Sequence, residues 1–509
     1  MMRCLVFPFF FLFVSLLQAQ TVLVKPYVQP GDGSALVGTD VKVLVWLTDQ
    51  VPGSFTVEFG QDATMTQMAA VERTQLDFIP LPKPPTKPVF SLFDNVPITL
   101  EDVMKDALRS TSEQVGDREQ HYYRYRATLR GLPFDADIQY RVRHGEAVVR
   151  EGTFRTRSSA LQPIRFVAVG DLATGQAAQK AVAFQIAQKE PQFLIALGDI
   201  VYSEGRVSEY MRHFWKTYND VANPSAASGA PLMQSVPFYP VLGNHDADTS
   251  RLTDRPDALG AFYFFQVPQN GPGVGPWSTP LGKDVKAAET FRARASPAYP
   301  ALGYYSFDAG AAHFLVLDSN SYTTAHFSKL IPWITQDLRR SRQRWKIVCF
   351  HAPAFHTSPQ HYTTQQMRLL EPVFEAHGVD VVFSGHVHNY QRTKPLRFTP
   401  TPRLRDKRGR VDGEFRLDEQ FDGVGDTTPD GVIHIVSGGG GATLYNSKDY
   451  AATVAQLEVE NIGNWVPYTS KFIADRHSFS LVDVTTESFT LRQISSSGEE
   501  IDRFVITKP

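Results

Sequence analysis

The chain has 509 residues, enough for two or three domains, and its 42% hydrophobic and 12% aromatic content is that of a globular protein with a substantial core. A net charge of −2 argues against nucleic acid or an anionic membrane surface as a main partner.

Met1 to Gln20 carries Arg3, an apolar stretch from Cys4 to Leu17 and a small exit residue, Ala19, the pattern of a secretory signal peptide over residues 1–20 cleaved near Ala19. The stretch is shorter than the ~20 residues a spanning helix needs, so a periplasmic or secreted protein is expected, and no later segment is apolar enough to span a membrane. Removal of the leader leaves Cys349 as the one cysteine, so no internal disulfide forms. Its place in an apolar run makes it a buried hydrophobe rather than a nucleophile.

Residues 21–158 read as all-β. Short runs such as VKVLVWLTD, FTVEFG, HYYRYRATLRGL and IQYRVRHG, several alternating apolar and polar, are divided by turn residues and fit a small sandwich. An insertion over 79–119 contains Pro80, Pro82, Pro84, Pro85 and Pro88 and is expected as a loop with a short helix near Leu100 to Ser110. Ser158-Ser159-Ala160 marks the boundary. From there to residue 509 strand runs alternate with helix-like segments at Gln176–Lys189, Ser208–Val221, Pro332–Gln343 and Thr364–His377, which defines a layered α/β domain. Tyr304 to Asp318 reads as a hairpin turning at Gly310. Asn270–Gly282 and Arg403–Asp430 read as surface excursions, and the Gly438–Gly441 run as close packing at a strand end.

Five apolar runs of this domain each end in metal-ligand types: IRFVAVGD, QFLIALGDIVY, FYPVLGNHD, KIVCFH and VDVVFSGHVH. Ligands of open α/β sheets bind beyond the carboxyl ends of such strands. Asp171, Asp199, Tyr202, Asn244, His245, His351, His386 and His388 are therefore expected on one rim, with about enough donors for two ions. Asp171, Asp199, Tyr202 and His388 would serve one ion; Asp199, Asn244, His351 and His386 would serve the other, with Asp199 bridging. A phenol has a pKa near ~10 and becomes a ligand only to a strongly polarising ion, which suggests ferric iron beside Tyr202 and a divalent ion (zinc, manganese or iron) at the second position. Such a pair would share a hydroxide for in-line attack on a phosphate ester, His245 assisting the leaving group and His356 and His361 facing the non-bridging oxygens. Thr174 is a further candidate phosphate contact, whereas Glu204 and Arg206 are expected to be solvated.

The motifs GD, GDxxY, GNHD, VxxH and GHxH, at Asp171, Asp199–Tyr202, Gly243–Asp246, Val348–His351 and Gly385–His388, resemble those of the metallophosphoesterase superfamily, specifically the purple acid phosphatases. The resemblance covers nearly the whole mature chain. It implies a four-layer αββα catalytic sandwich preceded by a fibronectin-III-like domain, a ferric–divalent pair, and hydrolysis of small phosphorylated substrates. Tyr202 stands at the tyrosine that distinguishes the family, Asp246 matches its usual acid, and His361, with His356 as competitor, matches its substrate-facing histidine. Gly170-Asp171-Leu172-Ala173-Thr174-Gly175 departs from the family's usual GDxG, so this turn should differ in shape. Phosphate monoesters are the first substrate class, with diesters or nucleotides on the same site as the alternative. A polysaccharide- or protein-binding module with a vestigial site is a third reading, opposed by the complete ligand set. The sequence leaves the oligomeric state open.

Overall fold

The computed structural model describes residues 20–78, 120–246, 252, 257–273, 285–295, 299, 301–320, 327–401, 409–445, 448, 455 and 467–508. The leader and the 79–119 insertion, with its expected helix, lie outside them, as do 274–284 and 402–408.

The N-terminal region contains β1 (Val22–Gln29), β2 (Asp40–Thr48), β3 (Phe55–Gly60), β4 (Gln67–Ala69), β5 (Val71–Phe78), β6 (Gln120–Leu132), β7 (Asp137–His144) and β8 (Ala147–Arg155). They form two four-stranded antiparallel sheets, in the orders β1-β2-β6-β5 and β4-β3-β7-β8. A shared core of Val28, Leu44, Trp46 and Tyr125 from the first sheet with Phe55, Val57, Tyr140 and Val142 from the second holds them together. Trp46 stacks on Tyr125 and meets the edge of Phe55, so the apolar positions of the alternating runs read in the sequence fill this interior.

The following region contains β9 (Ile164–Val169), β10 (Phe193–Ala196), β11 (Phe238–Pro240), β12 (Tyr304–Ala309), β13 (Ala312–Leu317), β14 (Trp345–Cys349), β15 (Val381–Ser384), β16 (Tyr390–Thr393), β17 (Leu396–Pro400), β18 (Gly413–Leu417), β19 (Ile433–Ser437), β20 (Thr469–Ile473), β21 (Ser478–Val484), β22 (Ser488–Ser495) and β23 (Glu500–Thr507). A six-stranded sheet has the order β11-β10-β9-β21-β22-β23, and a seven-stranded sheet the order β12-β13-β14-β15-β19-β16-β20. Phe166 of the first sheet packs edge-on against Phe314 and Phe383 of the second, so the two sheets share one core. The strands feeding the motifs are parallel within each sheet: β9, β10 and β11 in one, β14 and β15 in the other. All five motif loops therefore leave the carboxyl ends of their strands toward one place. The hairpin of β12 and β13 turns at Gly310, whose φ of +54° favours glycine.

The helical segments follow the sequence pattern with local departures. Residues 176–189 hold a helix at Ala177–Ala187. The expected single helix Ser208–Val221 is instead Val207–Glu209, a π-helical turn Tyr210–Phe214, then Trp215–Tyr218. Tyr210, Phe214, Trp215 and Tyr218 are all buried, and the widened turn lets the consecutive rings of Phe214 and Trp215 both reach the core. The helix expected from Pro332 spans Phe327–Arg340, with Pro332 inside it, and buries Phe327, Leu330, Ile334 and Leu338. Thr364–His377 divides into a 3₁₀ turn, Gln366–Leu370, and an α-helix, Glu371–Ala376, with a proline in its first turn. Among the described residues, no helix is long and apolar enough to cross a membrane.

Candidate metal centre

The ligand types do meet at one place. Tyr202 Oη lies 2.8 Å from Asp171 Oδ1, 3.1 Å from Asp199 Oδ2 and 3.1 Å from His388 Nε2. On the other side His351 Nε2 lies 3.2 Å from Asp199 Oδ1, 3.2 Å from Asn244 Oδ1 and 3.2 Å from His386 Nδ1. Asp199 thus gives one carboxylate oxygen to each group. Among the described residues, Asp199, His351 and His386 offer ligand atoms within 4.8 Å of one another, a spacing that could hold a metal ion.

Backbone conformation brings these side chains together. Asp171 (φ +61°), Asp199 (φ +49°) and His386 (φ +67°) occupy the left-handed region, each at a cost of about 1–3 kcal/mol that the surrounding sheet ends must hold in place. The glycines before the ligands have a steric reason. A Cβ on Gly198 would run into the His351 ring, and one on Gly243 into the Asp199 carboxylate. Gly385 and Gly438 would each place a Cβ 2.8 Å from Asp171 Oδ2. The Gly438–Gly441 run is close packing, as read from the sequence: Gly440 N–H donates to Gly170 O, and Ala442 N–H to Asp171 O.

A surrounding set of bonds fixes the imidazoles. His351 Nδ1 pairs with Leu197 O at 2.7 Å and His388 Nδ1 with Thr443 O at 2.7 Å, which leaves both Nε2 lone pairs facing inward. Asp246 is fully buried and accepts from the backbone N–H of Ile200 and Gly243, tying the GDxxY and GNHD loops together. Burial and the neighbouring Asp199 carboxylate raise its pKa. Burial and the carboxylates of Asp171 and Asp199 hold the Tyr202 phenol well above its ordinary value. With carboxylate, phenol, amide and imidazole atoms gathered within about 3 Å of one another, the set has the chemistry to hold small cations.

His245 stands at the rim. Its N–H donates to Asp199 Oδ1 at 2.9 Å, its Nδ1 meets Ser203 O, and its Nε2 is 3.8 Å from Asp199 Oδ2. The structure separates the two remaining candidates. His361 packs its ring 3.9 Å from that of His386. His356 is drawn inside instead, buried with its ring against Tyr362 and its carbonyl accepting from Tyr468, so the expectation that it faces phosphate oxygens is corrected. Thr174 turns away as well, its hydroxyl lying 3.3 Å from Gly441 O and 3.3 Å from Gln176 N. The GDLATG turn closes at Gly175, where a Cβ would strike His213.

Glu204 and Arg206 are not solvated. Glu204 is buried, and Arg206 pairs with Asp257 at 3.3 Å, because the carboxylate of Glu209 gathers the N–H groups of Ser203, Glu204 and Arg206 and folds the loop inward. Tyr445 was not singled out in the sequence. Its ring stacks on His388 (4.4 Å, 15°) and its hydroxyl lies 3.1 Å from His361 Nε2.

Residues 164–390 match the family model of the calcineurin-like phosphoesterases, so the chain carries a calcineurin-like metallophosphoesterase domain. Among curated proteins, purple acid phosphatase 18 of Arabidopsis thaliana is 30% identical over 271 residues, covering 52% of each chain. Purple acid phosphatase 1 of Ipomoea batatas is 28% identical over 287 residues, covering 54% of each. The chain thus spans about half the length of these plant relatives. An uncharacterized protein of Mycobacterium tuberculosis is 24% identical over 430 residues, 77% of this chain and 70% of that one. The fold matches that of a purple acid phosphatase from yellow lupin (Lupinus luteus) seeds, with a TM-score of 0.57, 16% identity and coverage of 95% of this chain and 74% of the other. It also matches the structure of PhoD, with a TM-score of 0.51, 13% identity and coverage of 94% and 88%.

Proposed function

We propose that the protein is an exported dimetal hydrolase of phosphate monoesters, with Asp171, Asp199, Tyr202 and His388 holding one cation and Asp199, Asn244, His351 and His386 the other. The observation that carries this reading is the division of the Asp199 carboxylate, Oδ2 toward Tyr202 and Oδ1 toward His351. The phenol and two carboxylates of the first set suit ferric iron, and the imidazoles and amide of the second suit a divalent ion such as zinc, manganese or iron. The names of the plant relatives favour the purple acid phosphatase type. The four-layer αββα arrangement of 159–509, a fibronectin-III-like reading of 21–158 and removal of the leader at 1–20 belong to the same proposal.

Bound cations would supply Lewis-acid neutralisation of the phosphoryl oxygens and a water acidified toward neutral pH. The chain's own residues do the rest. The five strand ends hold the donors without reorganisation, the condition under which electrostatic stabilisation is effective. Ser203 O holds the Nδ1 edge of His245, leaving Nε2 as the atom that hands a proton to the leaving alkoxide. His361, whose ring packs on that of His386, is the second histidine proposed to contact the phosphoryl oxygens.

The test is a visible spectrum and a metal analysis of the purified, oxidised protein, followed by turnover of an aryl phosphate monoester. The expected result is a tyrosinate–ferric charge-transfer band and hydrolysis favoured below neutral pH. An iron-free, colourless protein would remove the ferric assignment, and inertness of the metal-loaded chain toward phosphate esters would remove the function.

A further inference from the structure

The candidate site has a buried floor and an open rim. Asp171, Asp199, His351 and His386 are buried, whereas Tyr202, Asn244, His245, His361, His388 and Tyr445 are partly exposed, so a substrate approaches over these six. Tyr445 has a particular place among them. Its backbone N–H donates to His388 O at 3.0 Å and its ring lies parallel to the His388 imidazole. Its hydroxyl meets Nε2 of His361, whose ring covers His386. The Tyr445–His361 pair therefore arches from the Tyr202–His388 group to the His351–His386 group and walls the space above both.

Resting on the phosphoesterase reading, we propose that Tyr445 is a specificity-determining residue that selects phosphate monoesters over diesters. A monoester dianion presents three charged oxygens beside its leaving group; a diester replaces one of them with a neutral alkoxy group. Tyr445 Oη and His361 Nε2 share one hydrogen bond, so the pair keeps one outward proton to donate to a third charged oxygen. An alkoxy carbon in that position offers the outward proton no acceptor, which disfavours that substrate. The ring, pinned by stacking at one edge and by the hydroxyl at the other, also occupies the volume that a second ester arm would need.

The experiment uses the full, metal-loaded chain as wild type, Tyr445→Phe and Tyr445→Ala. It reads kcat/KM for an aryl phosphate monoester and for the matched methyl aryl diester, the affinity for inorganic phosphate by calorimetry, and metal content. Tyr445→Phe keeps the stacked ring and should lower the monoester kcat/KM and the phosphate affinity by about tenfold or more, the size of one hydrogen bond to a charged oxygen, with the diester rate little changed. Tyr445→Ala should shift the diester-to-monoester ratio further toward the diester. An unchanged ratio and unchanged phosphate affinity in both variants, with the wild type active, would overturn the proposal, as would variants that lose metal and so reveal only a brace for His388. A wild type inert toward both esters would instead overturn the phosphoesterase reading.

Discussion

Two of the buried charged clusters among the described residues are built on opposite rules. At the seam between the N-terminal sheets and the α/β region, Asp40 accepts from Arg157 Nε and Arg157 N–H, each at 2.8 Å, and pairs with Lys42. Arg157 also donates to the carbonyls of Ser34 (2.7 Å) and Asp308 (3.1 Å), and Lys42 to that of Val41 (3.2 Å). Burial alone would raise the pKa of Asp40, but the two cations more than offset it and bring it down to about 2. Each of these donors points at a protein acceptor. At the strand ends, by contrast, carboxylate, phenol, amide and imidazole groups crowd within about 3 Å of one another. The ion cluster closes on itself; the cluster around Asp199 is the one we propose is completed by cations.

That contrast can be broken or sharpened by substitution. The largest effect is expected from Asp199→Asn, which removes the charge shared by both groups: monoester turnover should fall by at least about 10³-fold in steady-state assays, with little change in the urea midpoint of the metal-free protein. Asp40→Ala should do the reverse. It leaves Lys42 and Arg157 buried and unpaired, costing about 3–5 kcal/mol in urea denaturation, while turnover per folded molecule stays near wild type.

A smaller effect concerns His313, a closed cluster in miniature between Asp308 (2.7 Å) and Asp337 (2.9 Å), which links β13 to the Phe327–Arg340 helix. Burial would lower its pKa, but the two carboxylates override this and raise it to about 9 from 6.5. A raised folded-state value stabilises the protonated form. The contribution, up to about 3 kcal/mol, is therefore full below about pH 6.5 and is lost as the pH rises through about 9. In His313→Gln, denaturation midpoints measured across that window should lose this slope. The smallest effect is expected from Tyr27→Phe. It deletes one interregion bond, Tyr27 Oη to Phe264 O at 2.9 Å, and should cost about 1 kcal/mol with no change in the metal centre's spectrum.

The convergence of the candidate ligands was legible in the sequence because each follows an apolar strand run, and parallel strands deliver their carboxyl ends to one edge. Gly198 and Gly243 are part of that signal, since a side chain at either would displace a ligand. Tyr445 was not legible. It follows a glycine run well beyond the last motif, and only the return of that loop over Asp171 and His388 places it at the rim. The Arg206–Asp257 pair and the inward position of His356 likewise depend on which face of a loop turns toward the core, and no periodicity encodes that. Nothing in the sequence joined Asp40 and Lys42 to Arg157, more than a hundred residues away, because only the folded N-terminal region brings them together.

The account rests on Asp199 serving two cations at once. Elemental analysis of the chain after equilibration with iron and zinc, for wild type and Asp199→Asn, tests this most directly. Two ions per wild-type chain, falling to one or fewer in the variant, is the predicted result. A wild type that retains no metal, or a variant that still holds two ions, would contradict it.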